Sequence, residues 1–407
     1  MSPGFRDITI VSIVALVAAV LVIAGCGNGT TTTTTTAGDD GGSTTTDTVQ
    51  TTITDGGGVP FKFAAAAPFT GQYKTYGASL KAGADIAVAE LNAAGGVNGG
   101  QVSYVTADEL GDPKEAFLVA QKLIKDPSVL FVDGHMFTGA TLAAGPKYQE
   151  GGLPMISPSA TNPDIAVLGD YIWCLCITDR VQGEGLAAYA VTTMDRKKIA
   201  ILHSDSSYGR DLADAFENAA QTAGGEVLAR EYYVDGDNDF TAQLTKIRDT
   251  APELLFLAGY YLEGSKIAVQ AKELGMEVQM LSSDGYSSDE LIRLGGTSVE
   301  GMLISTFFDY SKDDPITQRF VKSYKNNNYG ANPDWFAAAS YDVVMVAAQA
   351  AIEAGVNERN AINEALAGIV YSGLTGSLTF DDNGDVRKSL NIVVVQDGRL
   401  VTAPKQP

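Results

Sequence analysis

The sequence is poor in the residues that most often carry out catalysis or hold metals. Its 407 residues include two histidines and three cysteines. Cys174 and Cys176 are one residue apart, which is too close for good disulfide pairing and too short for a redox or zinc Cys-x-x-Cys motif. There is no GxSxG elbow and no P-loop, and the glycine-rich stretch 95–100 follows a predicted helix instead of opening one. The sequence therefore predicts no enzyme activity, no cofactor and no metal site.

Positive charge is also scarce. The chain has 28 Lys and Arg residues against 49 Asp and Glu residues, which gives a net charge of −21. Such a surface would repel a polyphosphate backbone, so nucleic-acid binding is disfavoured. Two Asp-rich runs, 235–239 and 381–385, lack residues that a calcium loop requires, and we interpret them as turns.

The N-terminus carries an apolar run that is short for a membrane-spanning helix. Residues 8–23 are sixteen apolar or small residues, whereas a spanning helix needs about 20. The run ends at Ile23-Ala24-Gly25-Cys26, which resembles the bacterial lipobox, in which the signal peptide is removed and the cysteine is lipidated. We predict a signal peptide at 1–25 and a lipid anchor on Cys26, with an uncleaved anchor as the alternative. Both place the remaining chain outside the cytoplasm, and the first puts it on the outer face of the cell membrane.

The next segment has no capacity to form a core. Residues 27–58 contain 14 threonines among 32 residues, and Gly and Asp make up much of the rest. Such a composition predicts disorder. A flexible chain of this length has a root-mean-square reach of ~30 Å. We therefore expect 26–58 to tether a folded head to the membrane, and glycosylation of its threonines stays open.

From about residue 60 the sequence alternates between strand and helix patterns. Hydrophobic residues make up 45% of the chain, which is enough for full cores, and the length fits two lobes of ordinary size. Repeated βα units with apolar strands predict parallel sheets covered by helices on both faces. The tail differs, with three successive predicted helices and then a predicted hairpin of 378–380 with 392–396 around the turn 382–384.

Polar residues follow several of the predicted strands, where open α/β sheets bind their ligands. Hydroxyl-rich stretches at 138–141 and 157–161 precede predicted helices, whose first N–H groups suit a carboxylate. Tyr208, Tyr260 and Asp284 follow three later strands, and a carboxylate there suits a cation. Together these residues predict a site for a zwitterion.

The folded part also resembles a known family, the leucine/isoleucine/valine-binding proteins of branched-chain amino-acid ABC importers, which are type I periplasmic solute-binding proteins. The resemblance runs from about residue 61 to 401. The matching stretches are 75–77, 89–99, 112–116, 134–135, 155–161, 208–209 and 379–385.

The resemblance implies an α/β fold of two doubly wound parallel-sheet lobes joined by a three-segment hinge. The first lobe would comprise 60–178 and 307–373, and the second 179–306 and 374–400. It also implies the site. The ligand carboxylate would be held by Thr138 and by the loop that contains Ser159, Ala160 and Thr161, the ammonium by Asp284, and the walls would be Tyr76, Tyr208, Tyr260 and Phe336.

Two departures bear on the ligand. Asp284 stands where the family pattern has Glu, and Leu110 and Phe137 stand where it commonly has a cysteine pair. The bound amino acid is therefore left open between branched-chain and related ones.

The resemblance further implies a monomer that delivers its ligand to the permease and ATPase subunits of an importer. A ligand-sensing receptor ectodomain for an amino acid, amide or small carboxylate is the alternative. An enzyme or a purely structural surface protein is disfavoured, since no nucleophile–base pair is evident and polar residues follow so many strands.

Overall fold

The computed structural model describes residues 57–407 except 328, 331, 381–385, 387 and 389. The predicted signal peptide, Cys26 and nearly all of the predicted tether lie outside the described residues. Those three assignments therefore stay predictions.

The first sheet is parallel throughout. Within the described residues it has five strands, in the order β2-β1-β3-β4-β5, and every paired neighbour runs parallel. Strand β1 is buried at every position except Lys62, as expected for a strand covered on both faces, whereas the edge strand β2 is mostly exposed or half-buried. The strands are β1 (Phe61–Ala67), β2 (Val102–Asp108), β3 (Val132–Asp133), β4 (Met155–Ser157) and β5 (Ile172–Cys174).

Six helices of the described chain pack on this sheet or against one another beside it. Three of them begin at a capping aspartate: Asp112, Asp314 and Asp334. The Asp112 carboxylate, for example, accepts hydrogen bonds from the N–H groups of Lys114 and Glu115, and Pro113 occupies the first helical position. The helices are α1 (Lys74–Ala93), α2 (Pro113–Leu123), α3 (Thr138–Gly151), α9 (Pro315–Asn326), α10 (Trp335–Ala354) and α11 (Arg359–Leu366).

Helix α10 is long and apolar enough to cross a bilayer. However, 83% of its most apolar window is buried inside the fold, where it packs along α1. It is therefore the central core helix of this half of the molecule.

The second sheet is larger and mixed. In the described chain it has seven strands, in the order β14-β13-β10-β9-β8-β6-β7. Strands β6 to β10 pair in parallel, whereas β13 and β14 add an antiparallel edge. The strands are β6 (Lys198–Ser204), β7 (Glu226–Tyr233), β8 (Leu254–Ala258), β9 (Gln279–Ser282), β10 (Leu303–Thr306), β13 (Asn391–Gln396) and β14 (Arg399–Thr402).

The helices of this half are those that lie between β6 and β10, together with α4, which precedes β6. Helix α4 (Asp179–Ala188) packs against α5 (Ser207–Thr222), and α7 (Tyr261–Glu273) packs against α6 (Thr241–Asp249) and α8 (Asp289–Gly295). Between the two sheets the chain crosses after β5, after β10 and again before β13. The predicted α/β class with two parallel-sheet layers is confirmed, while the lobe boundaries stay predictions.

The predicted hairpin of 378–380 with 392–396 is wrong. Strand β12 (Gly376–Thr379) pairs with β11 (Val370–Gly373), and β13 pairs with β10 and β14. The turn residues are a local signal and do not determine which strand pairs with β13. That pairing follows from burial, because Ile392, Val393 and Val395 complete the core of the second sheet. The turn residues 382–384 lie outside the described residues.

Candidate functional site

Loops at the carboxyl ends of the parallel strands meet where the two halves face each other. The Tyr76 hydroxyl donates to the Gly285 carbonyl oxygen at 3.0 Å, and the Trp335 indole N–H donates to the Asp284 carbonyl oxygen at 2.9 Å. Tyr76 and Trp335 belong to helices α1 and α10, whereas 284 and 285 follow β9. These bonds place the loop after β9 directly against the first half of the molecule.

Asp284 is the centre of the second-half wall. Its side chain is buried, and its Oδ1 accepts hydrogen bonds from the Tyr208 hydroxyl at 2.6 Å and the Gln182 amide at 2.9 Å. Burial raises the pKa of the Asp284 carboxyl, and the two hydrogen bonds act against that rise. A cation beside the carboxylate would offset the cost of burying its charge.

A second carboxylate, Asp179, lies close to the first. Its Oδ1 accepts a hydrogen bond from the Thr161 hydroxyl at 2.6 Å, and its Oδ2 is buried without a partner in the described chain. Burial raises the pKa of Asp179, and the nearby charge of Asp284 raises it further. Two buried acids, one of which raises the pKa of the other, predict a cationic group between or beside them.

The first-half wall carries hydroxyls and N–H groups instead. Thr138 begins helix α3, so the N–H groups of its first turn have no partner within the helix. The Thr138 hydroxyl is buried and has no hydrogen-bond partner among the described residues. A hydroxyl and free N–H groups at a helix N-terminus suit a carboxylate of a ligand.

The other predicted hydroxyls of this wall are already engaged. The Ser159 hydroxyl donates to the Met136 carbonyl oxygen at 2.9 Å, and the Thr161 hydroxyl donates to Asp179. Their remaining lone pairs can accept from a ligand N–H. Ala160 is buried, and its N–H donates to the Ser157 hydroxyl oxygen at 3.0 Å, which holds the loop in place.

Aromatic rings fill the space between the two walls. Tyr76 makes edge-to-face contacts with Phe336 and Phe137, with ring centroids 5.0 Å and 5.2 Å apart, and it stacks on Tyr261 at 4.5 Å. Tyr260 contacts Phe137 at 4.8 Å and Tyr208 at 5.4 Å. These rings give the site apolar walls around its polar ends.

A cavity of about 260 Å³ opens at this contact. Its lining comes from both halves of the molecule. The residues are Tyr73, Gly111, Pro113, Phe137, Gly139 and Ala140 from one half, and Asp205, Ser206, Ser207, Tyr208, Arg210, Asp235 and Tyr260 from the other.

The structure brings the predicted wall residues together with Asp284, and it places Thr138, Ser159, Ala160 and Thr161 on the opposite side. It also adds residues that the sequence patterns did not single out. Asp179 and Gln182 lie in the first turn of α4, directly after residue 178, where the first segment of the predicted first lobe ends. Trp335 and Tyr73 were predicted only as helix residues. The Asp-x-x-Gln spacing, which puts both side chains on one face of a helix, was the signal for the first two.

The sequence of this chain is similar to a known family of binding proteins. Residues 60–399 match the family model for periplasmic binding proteins. A Leu/Ile/Val-binding protein homologue of Brucella melitensis is 31% identical over 82% of this chain and 91% of its own length. A leucine-, isoleucine-, valine-, threonine- and alanine-binding protein of Pseudomonas aeruginosa is 32% identical over 80% of this chain and 87% of its own length.

Among solved structures, the LivJ branched-chain amino-acid transporter binding protein of Streptococcus pneumoniae, crystallised with isoleucine, superposes with a TM-score of 0.79. It is 29% identical and covers 84% of this chain and 97% of its own. The match to the family model spans both sheets and the cleft residues between them. The chain therefore belongs to the periplasmic binding protein family and has the type I fold of that family.

Proposed function

We propose that this protein is an extracytoplasmic solute-binding protein that captures one amino acid between its two lobes. One observation carries the proposal: the two walls of the cleft have opposite chemistry. Asp284 and Asp179 are buried carboxylates that suit a cation, and the buried Thr138 hydroxyl at the start of α3, which has no partner among the described residues, suits an anion. An α-amino acid carries both groups on one carbon.

Each part of the ligand has its own residues in this proposal. Thr138 and the first-turn N–H groups of α3 bind the carboxylate. Asp284 binds the ammonium, with Tyr208 and Gln182 orienting it. The Ser159 and Thr161 hydroxyls, which the resemblance assigns to the carboxylate, donate to Met136 and Asp179 and hold the loop in place instead. Tyr76, Tyr260 and Phe336 enclose the side chain. Asp284 is one methylene shorter than Glu, so a water can bridge it to the amine.

Closure of the lobes completes the site. The ligand first binds to the wall of α3, and the second lobe then closes, which forms the bonds of Tyr76 and Trp335 to the loop after β9. Closure excludes water, so each charge-assisted hydrogen bond to the ligand becomes stronger.

The family resemblance supplies the setting. We infer that the ligand is a branched-chain amino acid or a related one, since relatives are named for binding leucine, isoleucine and valine. Delivery to the permease and ATPase of an ABC importer, a lipid anchor on Cys26, a monomeric state and the lack of catalysis belong to the same proposal.

A thermal-shift screen of amino acids and small carboxylates tests the proposal. A ligand at 100 times its dissociation constant should stabilise the protein by ~2.7 kcal/mol, which is a clear rise in Tm. Hits among amino acids, and none among acids that lack the amine, support the proposal. Hits only among acids without an amine would contradict it.

A further inference from the structure

The cavity between the two halves has a polar end that is separate from Asp284 and Thr138, neither of which lines it. Tyr73 lines the cavity, is only 6% exposed, and its hydroxyl forms no hydrogen bond within the described part of the chain, although the Gln72 side chain lies nearby. A buried phenol hydroxyl without a partner is costly, so it points to a ligand group that completes it.

Two acidic residues of the second half act on this phenol: Asp235 lies in the loop after β7, and Glu263 lies in helix α7. Burial raises the pKa of Tyr73, the charges of Asp235 and then Glu263 raise it further, and the Gln72 side chain acts against the rise. Asp235 lines the same cavity, where its Oδ1 accepts a hydrogen bond from the Ser204 hydroxyl at 2.5 Å.

Glu263 lies behind Asp235 and is fully buried. Its Oε1 accepts from the Gly236 N–H at 3.1 Å, and its Oε2 finds no partner among the residues that the structure describes. The region of Tyr73, Asp235 and Glu263, which we call the mouth subsite, therefore holds two acceptor groups with unused capacity.

The cavity offers little positive charge to match these acids. Arg210 is the one cation among the described residues that line it, and its guanidinium is already paired with Asp205 at 2.8 Å. Burial also raises the pKa of Asp235, as expected for an acid that lacks a cation beside it.

One ring connects the mouth subsite with the ammonium site. Burial raises the pKa of Tyr260, and the charges of both Asp235 and Asp284 raise it further. The Tyr260 ring is 5.9 Å from that of Tyr73 and 5.4 Å from that of Tyr208, whose hydroxyl donates to Asp284. Because Tyr208, Tyr260, Tyr73 and Asp235 line one cavity, these ring contacts form a continuous path from Asp284 to the mouth subsite.

We propose that the mouth subsite binds a distal cationic group, and that the preferred ligand is therefore not a branched-chain amino acid itself but a related one with a basic side chain, of the lysine or arginine type. This inference rests on the proposed function and names its ligand class. The α-amino acid group occupies the sites at Asp284 and Thr138, the methylene chain lies against Tyr260, and the terminal ammonium or guanidinium donates to Asp235 and to the Tyr73 oxygen.

Isothermal titration with lysine, arginine and norleucine tests the inference, because norleucine has the lysine chain without its terminal amine. Lysine or arginine should bind at least tenfold more tightly than norleucine to the full chain. Asp235→Asn should remove that preference, so that the ratio of lysine affinity to norleucine affinity falls to about one. Asp239→Asn is the matched control, since Asp239 is an exposed acid in the same loop and should leave the preference intact.

The outcomes separate this inference from the proposed function. Equal or tighter binding of norleucine and leucine overturns the mouth subsite and leaves amino-acid binding standing. Failure of every amino acid to bind overturns both. A cation preference that survives Asp235→Asn, in a variant with unchanged Tm, also overturns the subsite.

Discussion

The two walls of the cleft are built from different chemistry although both follow parallel strands. The wall of the first sheet presents the start of a helix, hydroxyls and a loop held by its own hydrogen bonds. The wall of the second sheet presents carboxylates, Asp284 and Asp179, with phenols around them. One wall is therefore largely prepared for an anion before closure, and the other concentrates negative charge that a cation must neutralise.

This difference teaches how the protein can discriminate between ligands. Neutral donors at the helix start lose little when a carboxylate is absent, because water can replace it. Buried carboxylates lose much more when the ammonium is absent, because their charge stays uncompensated. We expect the second wall to control affinity and the first wall to control orientation.

The largest expected effect comes from removing the central carboxylate. Asp284→Ala should weaken binding of the preferred amino acid by tens-fold or more, because losing one partner of a buried charge pair costs ~2–5 kcal/mol. Isothermal titration measures the loss. Asp249→Ala, an exposed acid beside Arg248, is the control and should bind normally. Unchanged affinity in Asp284→Ala would contradict the proposal that the second wall binds the ammonium of the ligand.

The first wall should contribute less. Thr138→Ala should cost ~1–2 kcal/mol of binding free energy, since the backbone donors of α3 remain. Thr138→Ser keeps the hydroxyl and should restore most of the affinity in the same titration. A loss as large as that of Asp284→Ala would contradict the contrast between the walls.

Closure itself can be weakened without touching either charged end. Tyr76→Phe removes the hydroxyl that donates to the Gly285 carbonyl oxygen and accepts from the Tyr261 N–H at 3.3 Å. The closed state should lose ~0.5–1.5 kcal/mol, which stopped-flow measurements should record as faster ligand release. Tyr324→Phe is a control outside the cleft walls, and an equal change in its release rate would argue against a specific role for Tyr76.

The contrast between the walls has an exception at the edge of the cleft. Asp334, before α10 in the first half, lies near Asp289 of the second half, and burial raises its pKa from 3.8 to about 6, with the charge of Asp289 adding to the rise. Above a pH of about 6 Asp334 is charged in the folded state, and this buried charge opposes folding. Below its unfolded-state pKa of 3.8 the carboxyl is protonated in both states, so it no longer affects stability.

Asp334→Asn keeps a capping side chain and removes this charge. It should raise the stability at pH 8 by on the order of 1 kcal/mol, and the gain should shrink as the pH falls through 6 and vanish near 4. Thermal unfolding across this pH range measures it. Asp314→Asn is the opposite control, because hydrogen bonds to that N-cap lower the pKa of Asp314 and its removal should cost stability at pH 8.

Much of this fold was predictable from sequence because it rests on local patterns. The buried strand β8 was predicted at its observed bounds, 254–258, and helix α10 at 335–354. Strand β5 and helix α4 were not predicted. Strand β5 has only three residues, and helix α4 begins in a stretch without clear helical periodicity. The pairing of β13 with β10 and β14 was not predicted either, since it depends on which hydrophobic core the strand completes.

The site divides in the same way. Asp284 and Thr138 follow predicted strands, so a local rule and a family resemblance both located them. Asp179, Gln182 and Tyr73 contact residues that are distant in the chain. The Asp-x-x-Gln spacing is a local signal for the first two, but it does not reveal their partners. The carboxylate pair and the mouth subsite therefore emerged only from the folded arrangement.

The central claim is that one wall binds an ammonium and the other a carboxylate of the same molecule. Calorimetry with the preferred amino acid, its 2-keto acid and its decarboxylated amine tests it most directly. We predict one-to-one binding of the amino acid, with the keto acid weakened by at least about a hundredfold and the amine by a smaller factor. A keto acid that binds as tightly as the amino acid would contradict the account.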